Sequence, residues 1–411
     1  MKYASILLLS LFSLQVLAKP HLDLDMSSDE YRALLQSQAK NKHFKDDDLI
    51  DNRIKYAIQL GDRLSKWINA INEAREGQNA IRLTSPTTRR STPIEKPSIY
   101  SPSIIAKETQ EILSQMPEEM RAVILSTNPV PTTISLDDET FIKHARLLDR
   151  NYQSAARYRS VDQYRQEYIQ AAAADVRGYY YLNKNNIGSA ELSDVNTIPT
   201  DKRDSIKDAL IKICFNSFGE TQEDCKNKVE DAFTANTLST IYEEFYPQAQ
   251  ENWNYFFTIP FNGVRTDITW SNNIATVPFN TPSIAKFLPY LQNNIEDEFK
   301  WGSWNLRLTF GEYEDGPRLI FEPGVVPHVN ALGGNEIVMD SNQPIEEYES
   351  QWTIRHEFGH VLGLPDCYHE FYDVNLKAYV NYQLDTSDLM CSRAGNMTER
   401  IYKELKRVYN P

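Results

Sequence analysis

Residues 356–366 restrict the structure of this chain more than any other part of its sequence. His356 and His360 are four residues apart, and positions i and i+4 of a helix lie on the same face. A helix here would therefore offer two imidazoles to one metal ion, with Glu357 beside the ion, where it can hold a water molecule. The buried face of this helix should consist of Ile354, Phe358, Val361 and Leu362.

The residues after this helix supply a third metal ligand. Gly363 should end the helix, because turning the chain back requires a positive φ, and Pro365 prevents the helix from continuing. Asp366 follows three residues after Gly363, where the returning chain can reach the metal. A catalytic zinc ion usually has three protein ligands and a water molecule. We therefore predict that Zn²⁺ binds to His356, His360 and Asp366.

A Met-turn should follow below the metal, and residues 388–392 provide it with Met390 at the centre. Two alternatives for the third ligand stay open. His369 lies three residues beyond Asp366. Glu399 lies on a later helix, which is where thermolysin-like peptidases place their third ligand.

Residues 356–366 and the following Tyr368 resemble snapalysin, a small secreted neutral metalloprotease of the metzincin type with aspartate as the third zinc ligand. The run 359–366 is specific, and a weaker resemblance extends from about residue 264 to 409. It implies an α+β catalytic domain with a twisted sheet, the active-site helix, the Met-turn and a C-terminal helix. The longer interval between Asp366 and Met390 and the positions of the cysteines depart from that family.

These residues predict a zinc-dependent endopeptidase in which Glu357 is the general base for a metal-activated water. Tyr368 is a candidate catalytic residue through the resemblance, either as a donor to the oxyanion or as an aromatic wall of the cleft. An extended protein or peptide substrate could pair with an edge strand at 335–339. The alternative function is a catalytically silent zinc-fold module that binds proteins or peptides.

The charge of the chain excludes partners that need a basic surface. It has 43 basic and 57 acidic residues, a net charge of −14, which argues against binding to nucleic acid. Residues 1–18 have a basic start, a short apolar run and a small residue at the end, as in a secretory signal peptide. The run is too short for a stable membrane anchor. We expect an extracellular protein, or a periplasmic one if the source is Gram-negative.

Four cysteines fit an oxidising compartment, and their spacing favours the local pairs Cys214–Cys225 and Cys367–Cys391. The rest of the chain is predicted to form a helical segment at 19–83, a linker at 84–103, a mainly helical domain at 104–250 and the catalytic domain at 251–411. The linker has 13 Pro, Ser or Thr residues out of 20. The helical region is either a removable propeptide of a zymogen or a permanent accessory domain.

Overall fold

The computed structural model describes residues 51–75, 79–84, 98–217 and 220–410. The predicted signal peptide and most of the predicted linker lie outside the described residues. The fold class is confirmed as α+β, with a mainly helical N-terminal region followed by small sheets and helices. No helix in the described ranges combines the length and the apolar character needed to cross a membrane.

Helices form most of the described chain up to Tyr255. The longest of them begin at acidic caps, where Asp51 and Asp137 accept hydrogen bonds from the backbone N–H groups of Arg53 and Thr140. The elements of this region are α1 (Asn52–Ala74), β1 (Ser98–Tyr100), α2 (Pro102–Gln115), α3 (Glu118–Leu125), α4 (Asp138–Asp162), α5 (Arg165–Ala171), α6 (Arg177–Lys184), α7 (Thr200–Phe215), α8 (Gln222–Thr234) and α9 (Leu238–Tyr255).

Strands and three helices form the region after residue 255. Its elements are β2 (Thr269–Ser271), β3 (Ile274–Asn280), α10 (Phe287–Glu298), β4 (Lys300–Trp301), β5 (Trp304–Gly311), β6 (Arg318–Glu322), β7 (His328–Val329), β8 (Glu336–Asp340), α11 (Tyr348–Val361), β9 (Tyr368–Asp373), β10 (Ala378–Gln383) and α12 (Glu399–Tyr409). The strands are arranged in three sheets, with the orders β2-β3-β5-β4, β6-β8-β7 and β1-β10-β9.

Helix α11 is buried along nearly its whole length. The predicted face of Ile354, Phe358, Val361 and Leu362 is at most 2% exposed. The opposite side is buried too, because Arg355 forms an ion pair of 2.7 Å with Glu298 of α10. Both charged side chains are almost fully inaccessible to solvent, so α11 is held from two sides by α10 and the sheets.

The C-terminal end of the predicted linker is ordered, which differs from the prediction. Residues 98–100 form β1, which pairs antiparallel with β10, and α2 begins at Pro102. The composition suggested a segment without a core, but Tyr100 is only 7% exposed and stacks on Tyr379 of β10 at 5.5 Å. Pairing with β10 provides hydrogen-bond partners for the backbone of residues 98–100, and the composition of the segment does not reveal such partners.

The predicted substrate strand at 335–339 is not an edge strand, so this expectation is wrong. Strand β8 lies between β6, which pairs with it in parallel, and β7, which pairs antiparallel with Ile337 and Val338.

Both predicted disulfides are confirmed: Cys214–Cys225 joins α7 to α8, and Cys367–Cys391 joins the start of β9 to the turn that contains Met390.

Candidate metal centre

The end of helix α11 positions the candidate ligands. Gly363 has φ +83°, and a Cβ at this position would lie 2.3 Å from the carbonyl oxygen of Gly263. Its N–H donates to the carbonyl of His360 at 2.9 Å, and the N–H of Leu364 donates to the carbonyl of Gly359 at 3.0 Å. The helix therefore ends in a glycine turn, as the sequence predicted, and the chain turns back toward the two histidines.

Three acceptor atoms converge beyond this turn. One carboxylate oxygen of Asp366, Oδ1, lies 3.1 Å from Nε2 of His356 and 3.3 Å from Nε2 of His360. All three ligand atoms lie within 4.8 Å of one another. Two ligands at about 2.0 Å from a tetrahedral zinc ion are separated by about 3.3 Å. The spacing of the described side chains therefore matches the edges of such a site.

The hydrogen bonds of the two imidazoles fit a metal ion. Nδ1 of His356 is 2.7 Å from the carbonyl oxygen of Leu389, and Nδ1 of His360 is 2.8 Å from that of Leu364. A carbonyl oxygen only accepts, so each Nδ1 carries a proton, and Nε2 is the ring atom that faces Asp366 and can bind a metal ion. Two imidazole nitrogens and one carboxylate oxygen at these distances can hold a metal ion, and this donor set suits zinc.

The pKa values of His360 and Asp366 show that the group stabilises a positive charge. Burial opposes protonation of His360, but the adjacent Asp366 carboxylate raises the pKa of His360 to about 9. Burial also opposes ionisation of Asp366, but the two imidazoles hold the pKa of that carboxyl well below its usual range. The site therefore stabilises positive charge next to an ionised aspartate.

Glu357 lies beside the ligands without being one of them. Its side chain is 4% exposed, and its Oε2 atom receives no hydrogen bond from any described residue. A buried carboxylate oxygen without a hydrogen-bond partner costs free energy, so its presence calls for an explanation such as a catalytic role. Glu357 and His356 both line a cavity of about 440 Å³, so the base predicted from the sequence and one candidate ligand border the same space.

Met390 lies directly below the helix of the metal centre, where the sequence placed it. It is 2% exposed, and a Cβ at Gly359 would lie 2.2 Å from its sulfur atom. Gly359, between the two histidines, thus permits the close approach of the Met-turn to α11. The carbonyl of Leu389 in the same turn accepts the hydrogen bond from Nδ1 of His356, so the turn also orients this candidate ligand.

Tyr368 lies next to the third ligand and lines the cavity. Burial, the charge of Asp366 and a hydrogen bond to Asp366 all raise the pKa of the Tyr368 hydroxyl well above its usual value. A phenol has one proton to donate, and the neighbouring Asp366 carboxylate competes for it. The role of Tyr368 as a donor to an oxyanion therefore stays a prediction, while its contact with the ligand is part of the site.

Neither alternative ligand belongs to the group. His369 lies on the opposite face of β9, where its ring contacts Phe256 at 5.8 Å and Phe371 at 5.0 Å. Burial lowers the pKa of His369 to about 4. Glu399 lies at the start of α12 and pairs with Lys403 at 3.1 Å. Among the described residues, the histidine-containing group of candidate ligands is His356, His360 and Asp366.

Sequence reasoning missed the residues that the N-terminal region brings to this site. Helix α4 lines the cavity with Asp149, Gln153 and Arg157, which are four residues apart and share one face. This spacing is visible in the sequence, but it is equally typical of a helix that packs on other helices. Only the tertiary structure shows that this face lies opposite Glu357.

Comparison with models of protein families, with curated proteins and with solved structures finds no match to this chain.

Proposed function

We propose that this protein is a secreted zinc-dependent endopeptidase that hydrolyses protein or peptide bonds. The observation that carries the proposal is the convergence of His356 Nε2, His360 Nε2 and Asp366 Oδ1, with both Nδ1 atoms bonded to carbonyl oxygens. Secretion is supported by the signal-like residues 1–18 and by two disulfides.

The roles of the residues follow from their positions. His356, His360 and Asp366 would hold Zn²⁺, which when bound supplies a Lewis acid that polarises the scissile carbonyl and lowers the pKa of a water molecule. Glu357 would accept the proton of the attacking water on its carboxylate and then donate it to the leaving amine. The Met390 turn and the glycine turn at Gly363 keep the ligands in place.

The cavity supports a peptide as the substrate. Its volume of about 440 Å³ is in the range of binding sites, and it extends along α11 from Glu349 to Glu357. These residues are eight apart, which corresponds to about 12 Å along a helix and to roughly three or four residues of extended peptide. Because β8 is covered on both sides, we place the substrate in this cavity and not along β8.

The test is casein or gelatin zymography of the wild type with and without chelator, together with Glu357→Gln and the control Glu399→Gln. We expect chelator and Glu357→Gln to abolish hydrolysis, with zinc content and fold unchanged in the variant, because Gln cannot accept the proton. Glu399→Gln should retain both zinc and activity. A zinc-loaded wild type without hydrolysis would instead favour the catalytically silent binding module.

A further inference from the structure

The helical N-terminal region contacts the residues that hold the third ligand. Arg157 of α4 donates from Nε to both oxygens of Glu370 on β9, at 3.2 and 3.0 Å, and a second guanidinium nitrogen forms an ion pair with the same carboxylate. The hydroxyl of Tyr100, on β1, donates to Glu370 as well. The Glu370 side chain is only 4% exposed, so donors from two N-terminal elements balance its charge.

Tyr368 lies on the same face of β9 as Glu370, because alternate residues of a strand point to one side. The guanidinium of Arg157 lies 5.8 Å from the centre of the Tyr368 ring, within the range of a cation–π contact. The hydroxyl of Tyr368 interacts with the neighbouring Asp366 carboxylate. A continuous set of contacts therefore joins α4 to the candidate metal ligand through one tyrosine.

The surrounding packing makes this connection rigid. Tyr379 of β10 is fully buried and contacts Tyr100, Tyr158 and Tyr168 of the N-terminal region, each with ring centres 5.5 Å apart. Nearby, the hydroxyl of Tyr152 on α4 donates to Asp340 of β8 at 2.9 Å. These contacts bury large aromatic surface between the two regions, so α4 and β1 are parts of the core around the site.

We propose that Arg157 is a positioning residue for the third metal ligand, and that the region containing β1 and α4 is a permanent part of the active enzyme. Arg157 fixes Glu370 and the ring of Tyr368, and Tyr368 in turn holds Asp366 in the direction of the metal. The described N-terminal residues form a wall of the cavity and contribute nothing to the group of His356, His360 and Asp366. A removable propeptide would take this wall and this support away with it. The proposal rests on the proposed zinc site.

The experiment measures zinc affinity by competition with a chelator, and kcat and KM on a peptide, for Arg157→Gln, Arg157→Lys and the control Arg159→Gln. Arg159 lies one half-turn away on α4 and also crosses to the second region, donating to the carbonyl of Gly324. We expect Arg157→Gln to weaken zinc binding and lower kcat by at least about 10-fold, with KM little changed. Arg157→Lys should be intermediate, and Arg159→Gln should match the wild type.

A second variant separates positioning from simple stabilisation. In Arg157→Gln/Glu370→Gln no buried charge is left unpaired, so thermal stability should recover relative to Arg157→Gln. Zinc affinity should stay low, because the contact with Tyr368 is still missing. Wild-type zinc affinity and kcat in folded Arg157→Gln, or recovery of both in the double variant, would overturn the proposal.

The extent of the mature chain tests the second half of the proposal. N-terminal sequencing and mass spectrometry of the active, zinc-loaded protein should find residues 98–250 still present. An active form that lacks them would overturn their assignment as a permanent part. Zinc affinity is measured without substrate, so a chain that binds zinc but cleaves nothing would refute only the proposed function. A wild type that binds no zinc would refute the metal site itself.

Discussion

The Cys367–Cys391 disulfide should contribute both to the stability of the protein and to its affinity for zinc. Cys367 directly follows Asp366, and Cys391 directly follows Met390. The N–H of Cys367 also donates to the carbonyl of Met390 at 3.1 Å. The bond therefore ties the turn that carries Asp366 to the turn that contains Met390.

The contribution of the disulfide to the free energy of unfolding follows from the length of the loop that it closes. The two cysteines are 24 residues apart, and closing a loop of about 25 residues restricts the unfolded chain by about 3.5 kcal/mol at 25 °C in the chain-entropy model. The second disulfide is a matched control in the same chain. Cys214 and Cys225 are 11 residues apart, which corresponds to about 2.8 kcal/mol, and they lie away from the metal centre.

The assay compares Cys367→Ser/Cys391→Ser with Cys214→Ser/Cys225→Ser. Urea unfolding of the metal-free proteins gives the stability losses, which should be about 3.5 and 2.8 kcal/mol, without the stabilisation that bound zinc would add. Chelator competition gives the zinc affinity. We expect it to fall by roughly 10-fold or more only in Cys367→Ser/Cys391→Ser, because only that variant frees the Asp366 turn. Equal zinc affinity in both double variants would refute this reasoning.

Three further predictions concern single residues. Asp366→Ala should lose most of its zinc by metal analysis, while His369→Ala retains it, since His369 lies on the other face of β9. Arg355→Met should lower the free energy of unfolding by about 3–5 kcal/mol in denaturant titrations, because it removes the guanidinium that balances the buried charge of Glu298. Burial lowers the pKa of His369 to about 4, against about 6.5 in the unfolded chain, so unfolding takes up a proton between these values. Stability should therefore decrease by up to about 3 kcal/mol as pH falls from 6.5 to 4, and His369→Gln should reduce that slope.

The candidate metal centre could be predicted from sequence because its information is local. Three candidate ligands, the candidate base and the terminating glycine lie within eleven residues, and helix geometry places the two histidines on a shared face. The short separations of the cysteines likewise favoured the pairs that the structure contains. The start and extent of the surrounding sheets were harder to predict from sequence, since strand pairing depends on partners that are distant in the chain.

The position of strands within sheets was decided by the tertiary structure. The apolar run of β8 is typical of a strand, but nothing in it indicates that the two residues of β7 cover one side. In the same way, the composition at 98–100 is typical of a linker, and only pairing with β10 makes it a strand. Both errors have one cause, because a strand acquires its hydrogen-bond partners from elsewhere in the chain.

The sequence by itself predicted the candidate ligands His356, His360 and Asp366, the candidate base, the helix that carries the two histidines and the two disulfides. The tertiary structure decided what surrounds them. Arg157 and Tyr100 contact Glu370 across separations of 213 and 270 residues, and no local pattern marks contacts of that range. The candidate ligands and the candidate base therefore lie in one short segment. The wall of its cavity and the support of its third ligand exist only because packing of buried aromatic residues brings two distant regions together.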